Sequence, residues 1–166
     1  MRVLGVDPGS RITGYGLLEE KNRQIFFVEA GLIKPPEKMP FPQKIHYIFQ
    51  MLVEILGRCT PDVMAVEDLF YAKNARSSLK LGHARGAVLV AAGQNDVSVF
   101  EYTPLEIKKS VVGYGRAEKE QVRSMVKIML QLKQQLPLDA SDALATAICH
   151  INSSRLRTLK EKSLGR

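Results

Sequence analysis

The alternation of apolar and polar positions divides this chain into a strand-rich first third and a largely helical remainder. Arg2–Val6 carries the apolar run Val3-Leu4-Gly5-Val6, breaks at Pro8-Gly9-Ser10, and resumes over Ile12–Leu18. The polar stretch Glu19–Arg23 separates that second strand from a third, Gln24–Ile33. Short polar links of this kind predict antiparallel hairpins. Lys34–Pro42 holds four of the eight prolines and is predicted to be an irregular surface linker. From Gln43 to Arg58, Ile45, Ile48, Phe49, Leu52, Ile55 and Leu56 recur at helical spacing. Pro61-Asp62 then leads into Val63–Val66, apolar throughout, as a central parallel strand after a crossover helix should be.

Beyond it, Leu69–Ser77 reads as a polar, basic loop, Ser78–Ala92 as a helix rich in small residues, and Val97–Glu101 as a last strand. Thr103-Pro104-Leu105-Glu106 has the cap, the first-turn proline and the returning glutamate of a helix start; that helix stops near Gly113. A further helix is predicted over Ala117–Leu132, with Val122, Met125, Val126 and Met129 as its apolar stripe, and a final one over Asp139–Ser154. These elements make one three-layer α/β domain over residues 1–154, built on a mixed five-stranded sheet. Residues 155–166 follow as a basic tail whose order the sequence leaves open. A right-handed crossover sets Val63–Val66 beside and parallel to Val3–Val6. Asp7 and Glu67 then emerge together at the carboxyl-terminal edge, where open α/β sheets bind ligands.

Composition narrows the function classes. The 166 residues suffice for one sizeable core, and 45% apolar with 25% charged residues is ordinary for a globular chain. Lys and Arg outnumber Asp and Glu by 24 to 17; the last twelve residues hold five of those basic side chains and one acid, over half of the excess. Cys59 and Cys149 lack metal-ligand spacing and read as buried, reduced thiols. No apolar run approaches the ~20 residues that cross a bilayer, and no secretory signal opens the chain. The expectation is a cytoplasmic protein. His46, His83 and His150 show no paired spacing, which leaves helix surface or core edge for His46 and His150.

Against this basic background, four acids stand where a site would want them. Asp7 and Glu67 end apolar strands, and Asp139 and Asp142 open a helix three residues apart. Taken singly, the helix pair also fits a cap and Asp7 a turn residue. Taken together, convergent acids repel by roughly 4 kcal/mol per pair at ~4 Å in a partly solvated setting. Such a cluster needs raised pKa values or a cation between the groups. Hard oxygen ligands without clustered His or Cys select Mg²⁺ or Mn²⁺. Two such ions can activate a water and neutralise the leaving oxygen of a phosphodiester. The surrounding Phe70, Tyr71, Lys73, Arg76 and Lys80, with Lys108, Lys109, Lys119, Arg123 and Lys127 on the later helices, are groups that a nucleic acid would meet.

The run Gly5-Val6-Asp7-Pro8-Gly9-Ser10-Arg11-Ile12-Thr13-Gly14-Tyr15-Gly16 resembles the opening of the RuvC family of Holliday-junction resolvases. So do Val66–Asn74, Leu79–Gly86, Lys108–Gly113 with Ala117-Glu118-Lys119, and Asp139–Ala145, and the likeness spans about residues 2–152. The resemblance implies a ribonuclease-H-like fold and a homodimer that acts in DNA recombination and repair. It implies symmetric nicking of two opposed strands of a four-way DNA junction with two Mg²⁺ ions, Mn²⁺ substituting, leaving 5′-phosphate and 3′-hydroxyl ends. The family's acidic tetrad falls on Asp7, Glu67, Asp139 and Asp142, as catalytic residues and metal ligands. Its DNA-contacting aromatic falls on Phe70 and its lysines on Lys108 and Lys119, with Lys73 and Arg76 as further DNA contacts in the basic loop. The RuvA and RuvB branch-migration proteins are the implied partners. The small residues Ala84, Gly86, Ala87, Ala91 and Ala92 predict the Ser78–Ala92 helix at the subunit interface.

Three other readings predict different behaviour. A non-cleaving architectural protein would bind junctions without cutting them when Mg²⁺ is added. An actin-like nucleotide-binding protein would share Asp7-Pro8-Gly9 but needs a second lobe and saturable ATP binding. A nuclease for RNA–DNA hybrids would share the acids but not the need for a dimer.

Overall fold

The structure, a computed structural model, describes residues 1–68 and 75–164, the last five of these as backbone alone. The elements are β1 (Arg2–Asp7), β2 (Thr13–Lys21), β3 (Gln24–Ile33), α1 (Phe41–Cys59), β4 (Val63–Glu67), α2 (Ala75–Gln94), β5 (Ser98–Tyr102), α3 (Pro104–Val112), α4 (Lys119–Met129) and α5 (Leu138–Leu164). Five strands form one sheet in the order β3-β2-β1-β4-β5. The two hairpin pairings are antiparallel, and β1–β4 and β4–β5 are parallel. The mixed sheet and the seat of β4 beside β1 are as the crossover requires.

Successive strand side chains point to opposite faces, and each face has its own core. Leu4, Val6, Met64 and Val66 pack with Ile48 and Leu52 of α1 and Val88 of α2. Val3, Leu18 and Ala65 pack with Leu144 and Ile148 of α5 and with Val122 and Val126 of α4. On the second face the helix comes unusually near. A Cβ at Gly5 would strike the Ala143 carbonyl, one at Gly14 the Asp139 carbonyl, and one at Gly16 the Leu144 side chain. Hydrogen at these three positions lets α5 lie directly on the backbones of β1 and β2.

Several boundaries differ from expectation. Helix α1 begins at Phe41 because Pro42 is tolerated in a first turn, where its missing N–H has no partner to lose. Helix α2 begins by Ala75, so the end of the expected basic loop is helical; Leu69–Asn74 lie outside the described residues. The last helix does not stop at Ser154 but runs to Leu164. Nothing in Ser153–Leu164 breaks it, and Arg155 ties it to the β2–β3 hairpin through Glu20 Oε1 at 2.6 Å and the Arg23 carbonyl at 2.9 Å. Residues 155–164 thus continue the helix rather than forming a separate tail.

The small residues of α2 also serve differently from the expectation. Ala84, Ala87, Ala91 and Ala92 are buried within this chain's own core, because that face of α2 packs on α1. The outward face carries Leu79 and Val90, both well exposed, with open space beside Gly82, Gly86 and Gly93. His150 is 2% exposed, a core residue rather than an edge one; its Nδ1 lies 2.9 Å from the Tyr102 hydroxyl. Cys59 and Cys149 are free and buried.

Candidate active site

Asp7 and Glu67 end neighbouring parallel strands whose register pairs Val6 with Val66, so the two carboxylates leave the sheet side by side. Gly14, opposite Asp7 in the β1–β2 ladder, is the residue on which the Asp139 backbone rests. The close seat of α5 therefore delivers Asp139 to Asp7. Asp142, one turn later, shares the face of Asp139. Thr13 keeps the turn after Asp7 tight: its buried hydroxyl accepts from the Gly9 N–H at 3.2 Å and donates to the Gly9 carbonyl at 2.9 Å.

The electrostatics carry the mark of convergence. Asp7 is pushed up from 3.8 to about 8 by burial first, then by the charges of Glu67, Asp142 and Asp139, with Lys119 opposing. Glu67 is also raised, by burial and then by Asp142, against Lys119, a hydrogen bond with Asp7, and Lys108. Asp142 is raised because burial outweighs the nearby ammonium of Lys119. That ammonium stands 3.3 Å from Asp142 Oδ2, and Asp142 holds its pKa above the usual lysine value although Lys119 itself is 68% exposed.

At neutral pH, then, Asp7 retains a proton that it shares with Glu67. A proton is the smallest cation that can sit between two carboxylates; a divalent ion in the same place relieves more of the repulsion. Among the described residues no three acid, imidazole or thiol side chains close tightly enough to enclose an ion as they stand. The charges of three acids nonetheless reach Asp7. The donor set is all oxygen, which fits Mg²⁺ or Mn²⁺ and not zinc.

The basic residues expected at the site are placed unequally. Lys119, at the start of α4, is in it. Lys108, half-buried on α3, is near enough for its charge to reach Glu67. Arg76 is exposed in the first turn of α2. Phe70 and Lys73 lie outside the described residues. Arg123, placed by its spacing with Lys119 and Lys127 in a phosphate-facing stripe, spends its guanidinium on the Leu136 carbonyl, at 3.0 and 2.6 Å. It pins the segment that leads into α5.

Sequence reasoning missed Arg85. Its guanidinium is almost fully buried and donates to the Glu67 carbonyl at 2.8 Å, while meeting Glu101 at 2.7 Å and Asp68 at 3.7 Å. It fastens the end of β4, and with it Glu67, to α2. The signal in the sequence was a lone arginine among Ala84, Gly86, Ala87 and Val88, where a small-residue helix offers it no solvent on the packed side.

A family model described as "Crossover junction endodeoxyribonuclease RuvC" matches residues 3–150. A relative of that name from Geobacter metallireducens is 49% identical over 159 residues, covering 96% of this chain and 97% of its own. The chain belongs to the RuvC family. A solved structure of Thermus thermophilus RuvC in complex with a Holliday junction substrate superposes with a TM-score of 0.89 at 34% identity, covering 95% of this chain and 97% of that one. The yeast mitochondrial Holliday junction resolvase, at 12% identity, shares the fold with a TM-score of 0.67 over 96% of this chain and 83% of its own. The fold is thus that of RuvC and ribonuclease-H-like, as the motifs implied. RuvC proteins are metal-dependent nucleases, which agrees with the oxygen-rich edge.

Proposed function

We propose that this RuvC-family chain is an endonuclease that resolves Holliday junctions, nicking two opposed strands symmetrically in a divalent-metal-dependent hydrolysis. The observation that carries this reading is the convergence of acids at one sheet edge: Asp7 and Glu67 end paired parallel strands and α5 rests its Asp139 backbone on Gly14 opposite Asp7, an arrangement whose burial and charge push Asp7 up to about 8. Asp7, Glu67, Asp139 and Asp142 are the residues that would hold two Mg²⁺ ions, with Mn²⁺ as substitute. When bound, such ions supply an activated water and a neutralised leaving oxygen. Asp7, on the central strand and coupled to all three other acids, is the ligand best placed to be shared. Lys119 and Lys108 bring positive charge to the phosphate that the acids would otherwise repel, with Arg76, Lys73 and Phe70 as further DNA contacts. The products expected are nicked duplexes with 5′-phosphate and 3′-hydroxyl ends.

A homodimer follows from the substrate, because a four-way junction is nearly two-fold symmetric and two identical sites meet equivalent phosphates. The exposed face of α2 supports it: Leu79 and Val90 flank glycines that leave room for a twin helix. Val90→Asp should convert the dimer to monomers in sedimentation, and an unchanged mass would move the interface elsewhere. RuvA and RuvB remain the proposed partners and the cytoplasm the proposed compartment. Among the described residues no helix is long and apolar enough to cross a membrane.

The test is a synthetic four-way junction, labelled on each strand in turn, incubated with and without Mg²⁺ and resolved on a denaturing gel. Paired nicks at symmetric positions, dependent on Mg²⁺, are expected. Tight junction binding without any nick would instead make this a junction-binding architectural protein.

A further inference from the structure

Directly after the site, the chain forms a second polar feature, of whose residues only Lys80 was named above among the groups that a nucleic acid would meet. A cavity of about 500 Å³ opens where the turn following β1 meets the first turns of α1 and α2. Its walls carry three cations, Arg11, Lys44 and Lys80, and two hydroxyls, Ser10 and Ser77; the described residues lining it include no carboxylate. Phe41 also lines it. The Lys80 ammonium stands 5.7 Å from the centre of that ring, and His83 meets the ring edge-on. Lys44 is held in place by donating to the Glu37 carbonyl at 2.7 Å.

Three positive charges converging on one hollow repel one another, and the fold keeps them together without an acid among the lining residues. An anion with several acceptor oxygens satisfies both the charge and the hydroxyl donors. The hollow is also tied to the catalytic acids by the backbone. Arg11 follows Asp7 by four residues, a span of at most ~14 Å. Phosphates along one strand of a duplex advance ~3.4 Å each along the axis, so this reach spans at most about four nucleotides. We infer that Arg11, Lys44 and Lys80 form a second phosphate seat, which grips the DNA backbone a few nucleotides from the cut and fixes the register of the strand across the acids. The inference rests on the reading of the chain as a junction nuclease and adds a binding site to it.

The experiment uses the full chain and a four-way junction, with Ca²⁺ in place of Mg²⁺ so that binding is read without cutting. The logarithm of affinity against the logarithm of salt concentration should have a slope shallower by about 0.9 in the triple variant Arg11→Gln, Lys44→Gln, Lys80→Gln, as when the protein neutralises one phosphate fewer. A junction with a single neutral methylphosphonate, moved one nucleotide at a time, should reproduce that weakening in the wild type at one position near the cut. The same substitution should cost the triple variant nothing further. Charge-conserving variants (Arg11→Lys, Lys44→Arg, Lys80→Arg) should restore most of the affinity, and they decide the matter if the triple variant fails to fold. An unchanged salt slope, or additive weakening at every methylphosphonate position, would overturn the seat. If the wild type itself failed to bind or nick junctions, the proposed function would fall instead.

Discussion

Two gatherings of carboxylates share the carboxyl-terminal edge of the sheet, and they are treated in opposite ways. Asp68 and Glu101 meet the buried guanidinium of Arg85, whose partners are matched within the chain. Beside Asp7, Glu67, Asp139 and Asp142, one ammonium among the described residues, Lys119, mostly in water, makes an ion pair, with Asp142, and burial first and then the other acids keep the proton on Asp7. Where acids serve the architecture, the fold supplies a rigid, permanently charged partner from a packed helix. Where they are left short of positive charge, the deficit is what the proposed function uses, because it favours a cation from outside. The difference divides the labour at one edge: Arg85 holds the Glu67 carbonyl, and with it the strand end, while the Glu67 carboxylate belongs to the other gathering and feels the charge of Asp142.

Removing the central acid should break this contrast most sharply. Asp7→Asn should lower single-turnover cutting by about 10³-fold, equivalent to ~4 kcal/mol of transition-state stabilisation. Junction affinity measured in Ca²⁺ should hold, since Asp7 is assigned to the metal and not to a phosphate. An equal loss of binding would contradict that assignment. Removing the internal cation should act on the other gathering. Arg85→Gln should cost about 2 kcal/mol in urea unfolding, as a charge-assisted hydrogen bond to a half-exposed acid does. It should also slow cutting by about tenfold through Glu67, with partial rescue by Arg85→Lys. A stability loss with unaltered cutting would confine Arg85 to architecture.

The smallest expected effect is one of pH. Asp7 keeps its proton in the fold to about pH 8 but loses it near 3.8 when unfolded, so its contribution to stability is lost as pH rises through that range. His150 acts with the opposite sign. Burial first, and then the charge of Arg157, pull it down to about 4 from 6.5, so its contribution is lost as pH falls below 6.5. Between pH 6.5 and 8 only the first acts. In that interval and without divalent ions, the thermal midpoint of the wild type should fall with rising pH, while that of Asp7→Asn should stay level. Mg²⁺ at pH 8 should restore the wild type alone. Parallel pH profiles for both proteins would show that Asp7 is not the titrating group.

Much of the site was legible along the chain because strand ends and helix starts announce themselves locally. The apolar runs before Asp7 and Glu67, and the helix start at Asp139, each follow from a few neighbouring residues, and the crossover rule then brings the strands together. Other features were not local. That Arg85 reaches the Glu67 carbonyl depends on how α2 is rotated over the sheet, and so does the burial of Ala84, Ala87, Ala91 and Ala92 instead of their display. The persistence of α5 past Ser154 depends on a hairpin more than 130 residues away in sequence, which supplies Glu20 to Arg155.

From sequence alone came the mixed three-layer architecture, the edge at which Asp7 and Glu67 emerge, and the membership of Asp139 and Asp142 in the same motif set. Hydrophobic periodicity and the handedness of a single crossover suffice for the first two, and the resemblance of the motifs to the RuvC family supplied the third. Only the tertiary structure decided the depth to which α5 sinks onto Gly5, Gly14 and Gly16, and therefore the charge state of Asp7. Burial and the approach of distant charges set a pKa, and neither is a property of any stretch of chain by itself.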